Sequence, residues 1–251
     1  MEWTDLIIAL IGGTAAGIIN TLAGNGSAIT LLILTELLQL PPNLANGSNR
    51  LGVFSGSMVG ALIFHRNGKL NLERSGPYLI PTIIGAIGGV LLAVWVSNEQ
   101  FREVFRLMMV LMLVVILVKP KRWLRTTDYE RAPRLWVAIP LFLAIGFYGG
   151  FIQMGMGIFF LAAMVLGARY SINDANAVKL VAVSAYTLLC IAIFQWQGLI
   201  HWPFGLLLAL GQVIGATIAA NFASQHPQAD LWAYRFLVVI IVLALVRLFF
   251  F

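Results

Sequence analysis

Charge is what this chain has least of. Asp, Glu, Lys and Arg make up 10% of its 251 residues, against about 25% in a soluble domain. No polar stretch is long enough to fold as one; the longest, KPKRWLRTTDYERAPR at 119–134, lies mid-chain. A single cysteine, Cys190, excludes an internal disulfide and a cysteine metal cluster. His65, His201 and His226 fall in three loops without metal-ligand spacing. There is no G-x-S-x-G elbow and no P-loop lysine. The chain is therefore expected to be no enzyme, with no cofactor and no metal. Met1–Trp3 lacks the basic start of a signal peptide, and no A-x-A-like cleavage site follows the first apolar run, so that segment is expected to be retained.

What is present is apolar. The chain is 60% hydrophobic, with a mean hydropathy of +0.91. Apolar runs cover 5–23, 28–40, 44–64, 76–97, 102–118, 135–151, 158–168, 175–197, 203–222 and 232–250. Many approach the ~20 residues that cross a bilayer. The expected fold is an all-α polytopic membrane protein. The net charge of +6 does not point to nucleic acid, because six of the sixteen Lys and Arg residues sit in the 119–134 loop. That clustering is the mark of a cytoplasmic loop. The lipid bilayer is the expected partner; homo-oligomerisation is left open.

The chain also repeats itself. NTLAGNGSAIT at 20–30 and GFIQMGMGIFFL at 150–161 are glycine-rich breaks in apolar sequence. Ala45-Asn46 and Ala175-Asn176 follow, then Gly68 and Gly198, then Ile84-Gly85-Ala86 and Ile214-Gly215-Ala216. From the Ala-Asn pairs to the Ile-Gly-Ala triplets the offset holds at roughly 130 residues. This pattern, an interrupted helix at matching places in two halves, is that of a secondary transporter whose site lies at the breaks. The expected division is a first transmembrane repeat at 1–118, a basic cytoplasmic linker at 119–134 and a second repeat at 135–251. Each repeat would hold a Gly-broken helix or re-entrant hairpin plus three transmembrane helices. Loop 65–75 carries Arg66, Lys69 and Arg74, whereas its counterpart 196–202 carries neither Lys nor Arg. That asymmetry favours inverted over parallel repeats.

Broken backbone is tolerated in a membrane only inside protein or against a water-filled cavity. Gly24, Asn25, Gly26 and Ser27, and Gly155, Met156 and Gly157, are thus expected in the interior. A helix restarting there presents unpaired N–H groups and a positive dipole end, which suits an anion. Ser27 can cap or donate, and Asn20 and Asn25 add donors. The second break offers mainly Gln153, between Ile152 and the pair Met154 and Met156. The alternative is that the glycines only let helices pack closely. A second polar set comprises Asn46, Ser48, Asn49 and Arg50, with Asn176 and Lys179 in the other half. Arg50 and Lys179 lie one to two turns inside apolar runs, where charge is costly. Either they attract an anion or they snorkel to the headgroups; Lys179 could also pair with Asp174. Glu36 is a coupling group or a surface acid. Gln212 and Asn221 read as interhelical hydrogen bonds.

At Gly17–Ser27 (G-x-x-N-x-x-A-G-N-G-S), Ala45–Asn49 (ANGSN), Arg66–Leu70 (RNGKL) and Ala175–Lys179 (ANAVK) the chain resembles the sulfite exporter TauE/SafE family. The motifs are short, so the specificity comes from their order along nearly the whole chain. The resemblance implies export of small sulfur-containing anions, such as sulfite or organosulfonates, across the bacterial inner membrane. The chain departs from the family where Asn25 and Ser27 interrupt a richer glycine run, which bears on the substrate. The expected function is a secondary transporter binding its anion near mid-membrane between the two breaks. An anion channel using the same helix ends is the alternative.

Overall fold

The computed structural model describes residues 3–97, 99, 100, 128, 135–226, 228, 231, 232, 235 and 239. Among these there are helices and turns but no strand. The first half runs α1 (Trp3–Ala23), α2 (Gly26–Leu32) with a π-helical turn at Ile33–Leu37, α3 (Pro42–Arg66) and α4 (Leu72–Ala93). The second runs α5 (Leu135–Phe151), α6 (Met156–Ala162) with a π-helical turn at Ala163–Gly167, α7 (Ile172–Trp196) and α8 (Trp202–Gln225). The spans expected at 102–118 and 232–250 and the linker at 119–134 lie outside the described residues, save Asp128 and positions 232, 235 and 239.

Four helices, α1, α4 from Arg74, α7 and α8, are long and apolar enough to cross a membrane. α3 matches α7 at 25 residues but is more polar, and it buries Asn46, Ser48, Asn49 and Arg50 among its neighbours.

Local sequence explains the boundaries. Pro42 occupies the first turn of α3, where a missing N–H costs nothing. Asn71, Ser171 and His201 each accept from a backbone N–H three residues on, capping α4, α7 and α8. Gly68 and Gly198 follow α3 and α7 with φ of +68° and +66°, the left-handed turn that glycine adopts freely. The starts of α2, α3 and α4 and the first π-helical turn recur in the second half at one common offset. The structural repeat thus reaches back to the breaks, beyond the Ala-Asn pairs where the sequence match begins.

The halves interlock. α1 packs on α8 and α4 on α5. At these crossings Gly13 and Gly17 lie against Gly211 and Gln212, and Gly85 and Gly89 against Leu143 and Phe147. Small residues let the backbones approach. α1 and α2 form a hairpin, with Ile33 returning to Gly12 and Gly26 seated on Ala16 and Asn20. Contacts also fix helix direction. Gly47 of α3 faces Phe194 and Leu199, whereas Gly60 faces Leu180, so α3 and α7 run antiparallel. α8 runs parallel to α3, from Ser48 against Gly205 to Asn67 against Ser224.

Candidate functional site

The two breaks meet. Gly24 has φ +77°, and a Cβ built on it would stand 2.6 Å from the Gly157 carbonyl carbon. A Cβ on Gly157 would in turn strike the Gly24 backbone. Two glycines are therefore what allows the hairpin tips to touch. The tips differ in construction. The first turns on Gly24 alone, while the second takes Gln153 (φ +63°) and Gly155 (φ +72°) through the left-handed region. For the non-glycine Gln153 that conformation is strained.

Gln153 is held there by its side chain. Its Oε1 accepts from Arg50 Nη1 at 2.6 Å and from the Tyr186 hydroxyl at 2.8 Å. Arg50 donates further to the carbonyls of Gly149 and Gly150, each at 2.8 Å, and to Asn46 Oδ1 at 3.2 Å. Asn46 Nδ2 donates to the Phe151 carbonyl at 3.0 Å. Asn46 and Arg50 thus cap the C-terminal end of α5. The Phe194 ring lies beneath the guanidinium, 5.5 Å away.

The other half does the same with different side chains. Lys179 Nζ donates to the Asn20 and Thr21 carbonyls at 2.7 and 3.3 Å and to Asn176 Oδ1 at 2.6 Å. Asn176 Nδ2 donates to the Leu22 carbonyl at 3.1 Å. These groups cap the C-terminal end of α1. A helix C-terminus leaves unpaired carbonyls at the negative end of its dipole, so a cation there is favoured. Each repeat supplies the cation that closes the broken helix of the other. Both cations are fully buried, which removes the snorkelling alternative. Asp174 is not among the partners of Lys179.

The first break also holds polar atoms with nothing to bind. Asn25 and Ser27 are buried, and Asn25 Nδ2, Asn25 Oδ1 and Ser27 Oγ have no partner among the described residues. Asn49 Oδ1 accepts from the Thr30 hydroxyl, but its Nδ2 is unpaired. No Asp or Glu is buried among the described residues. Among the described residues the interior therefore offers two cations and spare donors without a counter-acid.

The pattern of the sulfite exporter TauE/SafE family matches residues 9–248. The chain belongs to that family. It is 27% identical to a probable membrane transporter protein, ORF9, of Sinorhizobium sp, over 87% of this chain and 83% of the relative. It is 28% identical to a probable membrane transporter protein of Haemophilus influenzae, over 86% and 84%. The probable membrane transporter protein YfcA of Escherichia coli K12 is 24% identical, over 85% and 78%. No solved structure matches the chain. This TauE/SafE member is a multi-pass membrane transporter.

Of the residues singled out from sequence, Asn25, Gly26, Ser27 and Asn49 gather around the first break. Asn46, Arg50, Gln153, Asn176 and Lys179 form the two caps, and Gly155 and Gly157 shape the second tip. Asn20 contributes its carbonyl to Lys179 and reaches Ser57 Oγ with its amide at 3.5 Å. Ser48 is not brought to the breaks; it donates to Leu44 O and accepts from His201 N, at the 197–201 turn. Glu36 is exposed in the first π-helical turn. Tyr186, Thr30 and Ser57 went unnoticed in the sequence. Tyr186 carried a usable signal, since a phenol in an aliphatic run needs a buried acceptor.

Proposed function

We propose that this transporter is a secondary carrier that exports small sulfur-containing anions, sulfite or organosulfonates, across the bacterial inner membrane. The carrying observation is the sign of the interior. Arg50 and Lys179 are buried without a buried carboxylate among the described residues, and unpaired donors of Asn25, Ser27 and Asn49 stand nearby. Charge inside a membrane is costly and marks a pathway. A net positive, donor-rich interior favours an anion. Sulfur enters from the family's description as sulfite exporters.

Gly24 and Gly157 are in contact, so the anion belongs beside that contact, among Asn25, Ser27 and Asn49. Those groups are buried, so it reaches them only when the repeats move. That requirement is the carrier's alternating access. The antiparallel course of α3 and α7 supports inverted repeats. So does the grouping at one end of Arg74 with Tyr170 and of Asp128 with Arg169, while the 197–201 turn lies against Ser48 near the start of α3. A reporter fused to the C-terminus should then be active only outside the cytoplasm; cytoplasmic activity would count against inversion.

The decisive experiment is counterflow in proteoliposomes. Vesicles preloaded with sulfite should accumulate labelled sulfite saturably, and an organosulfonate should compete. Correctly inserted protein that moves neither anion would overturn the reading.

A further inference from the structure

Gln212 lies midway along α8, in the second repeat, and is buried. Sequence suggests an interhelical tie, yet its Nε2 has no partner among the described residues. The Gln212 backbone packs on Gly17 of α1, and its amide lies over α3, where a Cβ built on Gly52 would meet Nε2 before any other atom. Gly52 is one turn beyond Asn49 and shares its helix face. Asn49 Nδ2 is unpaired too. One turn beyond Gly17 comes Asn20, whose amide reaches Ser57 Oγ at 3.5 Å. Two primary amides, from α3 and α8, thus lie within one turn of each other along α3, and both have donors unspent among the described residues.

A buried donor left unpaired is destabilising, and native chains keep one where a ligand, ion or water supplies the acceptor. The fold itself does not demand it. At the matching position of the first repeat stands Thr82, whose hydroxyl is spent on the Tyr78 carbonyl at 2.7 Å. Gln212 is the member of the pair that keeps a donor in reserve.

We propose that Gln212 is a specificity-determining residue of the anion site, its Nε2 and the Nδ2 of Asn49 donating to two oxygens of one bound oxoanion. The proposal rests on the anion-carrier reading and sharpens it. Two separated neutral donors select by the placement of acceptor oxygens, so an oxoanion is held and a halide is not. The donors also come from opposite repeats, so relative movement of the repeats would dismantle the site.

The test is thermal unfolding of the purified full chain with sulfite, methanesulfonate, nitrate, phosphate or chloride. At least one oxoanion should raise the melting temperature, and chloride should not. Gln212→Met should melt, without anion, no lower than the wild type, because it buries no unpaired amide. Its half-saturating concentration for the stabilising oxoanion should rise about 10- to 100-fold, the loss of a hydrogen bond to a charged partner. Thr82→Val should keep wild-type affinity. Gln212→Glu, equal in size, should lose binding. A Met variant that melts lower or fails to fold, or either Gln212 variant binding with wild-type affinity, overturns the proposal. Sulfite binding unaffected by Gln212→Met would sink this proposal and spare the sulfur-anion reading. Binding of nitrate or phosphate alone, weakened by Gln212→Met, would do the reverse. No binding by any oxoanion would overturn both.

Discussion

At the first break the chain turns on one glycine and restarts with Asn25 at the cap and Ser27 in the first turn, whose side-chain polar atoms have no partner among the described residues. At the second it turns on Gln153 and Gly155 and restarts behind Met156, and Gln153 Oε1 is engaged twice. Its neighbours in the chain, Ile152, Met154 and Met156, are buried and apolar. The two tips occupy matching places and touch one another. One has polar atoms to spare and the other has its main polar group satisfied. A duplicated fold can keep its shape in both copies while one copy specialises in ligand contact and the other in packing. The caps behind the tips show the complementary case, in which chemistry is shared though residues differ. An arginine four residues after Asn46 and a lysine three residues after Asn176 reach equivalent helix ends.

The largest expected effect separates caps from contacts. Arg50→Met strips the Gly149 and Gly150 carbonyls of their donor and frees the strained Gln153. Each buried acceptor left unpaired costs about 1–3 kcal/mol. The melting temperature in detergent should fall sharply, and transport should be lost with it. Lys179→Met should follow the same course more mildly, because Lys179 holds the Asn20 and Thr21 carbonyls but no strained residue of the kind Arg50 holds in Gln153. Arg50→Lys should recover only part of the loss, because one ammonium cannot reproduce the two-armed reach of the guanidinium. The comparison breaks if Lys179→Met melts like the wild type yet carries no anion. That outcome would make Lys179 a substrate contact and not a cap.

Much of this was legible beforehand, and the reason is physical. Glycine-broken apolar runs have few structural solutions in a membrane, so the breaks at 24–27 and 155–157 announced interior backbone. The cost of burying charge singled out Arg50 and Lys179. Their partners were not legible. Both cations bind backbone carbonyls of the opposite half, and a carbonyl has no letter in a sequence. Ser48 was drawn in by its neighbours Asn46 and Asn49, but a one-residue step on a helix turns a side chain by about 100°, and it faces the 197–201 turn. Gln212 looked like a tie between helices. In the fold its Nε2 lies over Gly52, which has no side chain, and meets no acceptor among the described residues.

The smaller effect tests the tips directly. Asn25→Ala with Ser27→Ala removes side-chain atoms that bind nothing among the described residues, so no protein group is orphaned. The melting temperature should therefore change little. If those atoms meet the anion, KM for sulfite counterflow should rise about tenfold for each charge-assisted hydrogen bond lost. Met156→Leu is the matching experiment on the second tip. Met156 is fully buried, and a volume-conserving apolar exchange there should cost less than about 1.5 kcal/mol. Its KM should stay within about twofold of the wild type, because a thioether gives an oxoanion no donor. The two results must diverge for the tips to have different work. Equal rises in KM would mean that both tips line the site, with the second acting through its backbone. Equal indifference would move the anion away from the tips, toward the amides of α3 and α8.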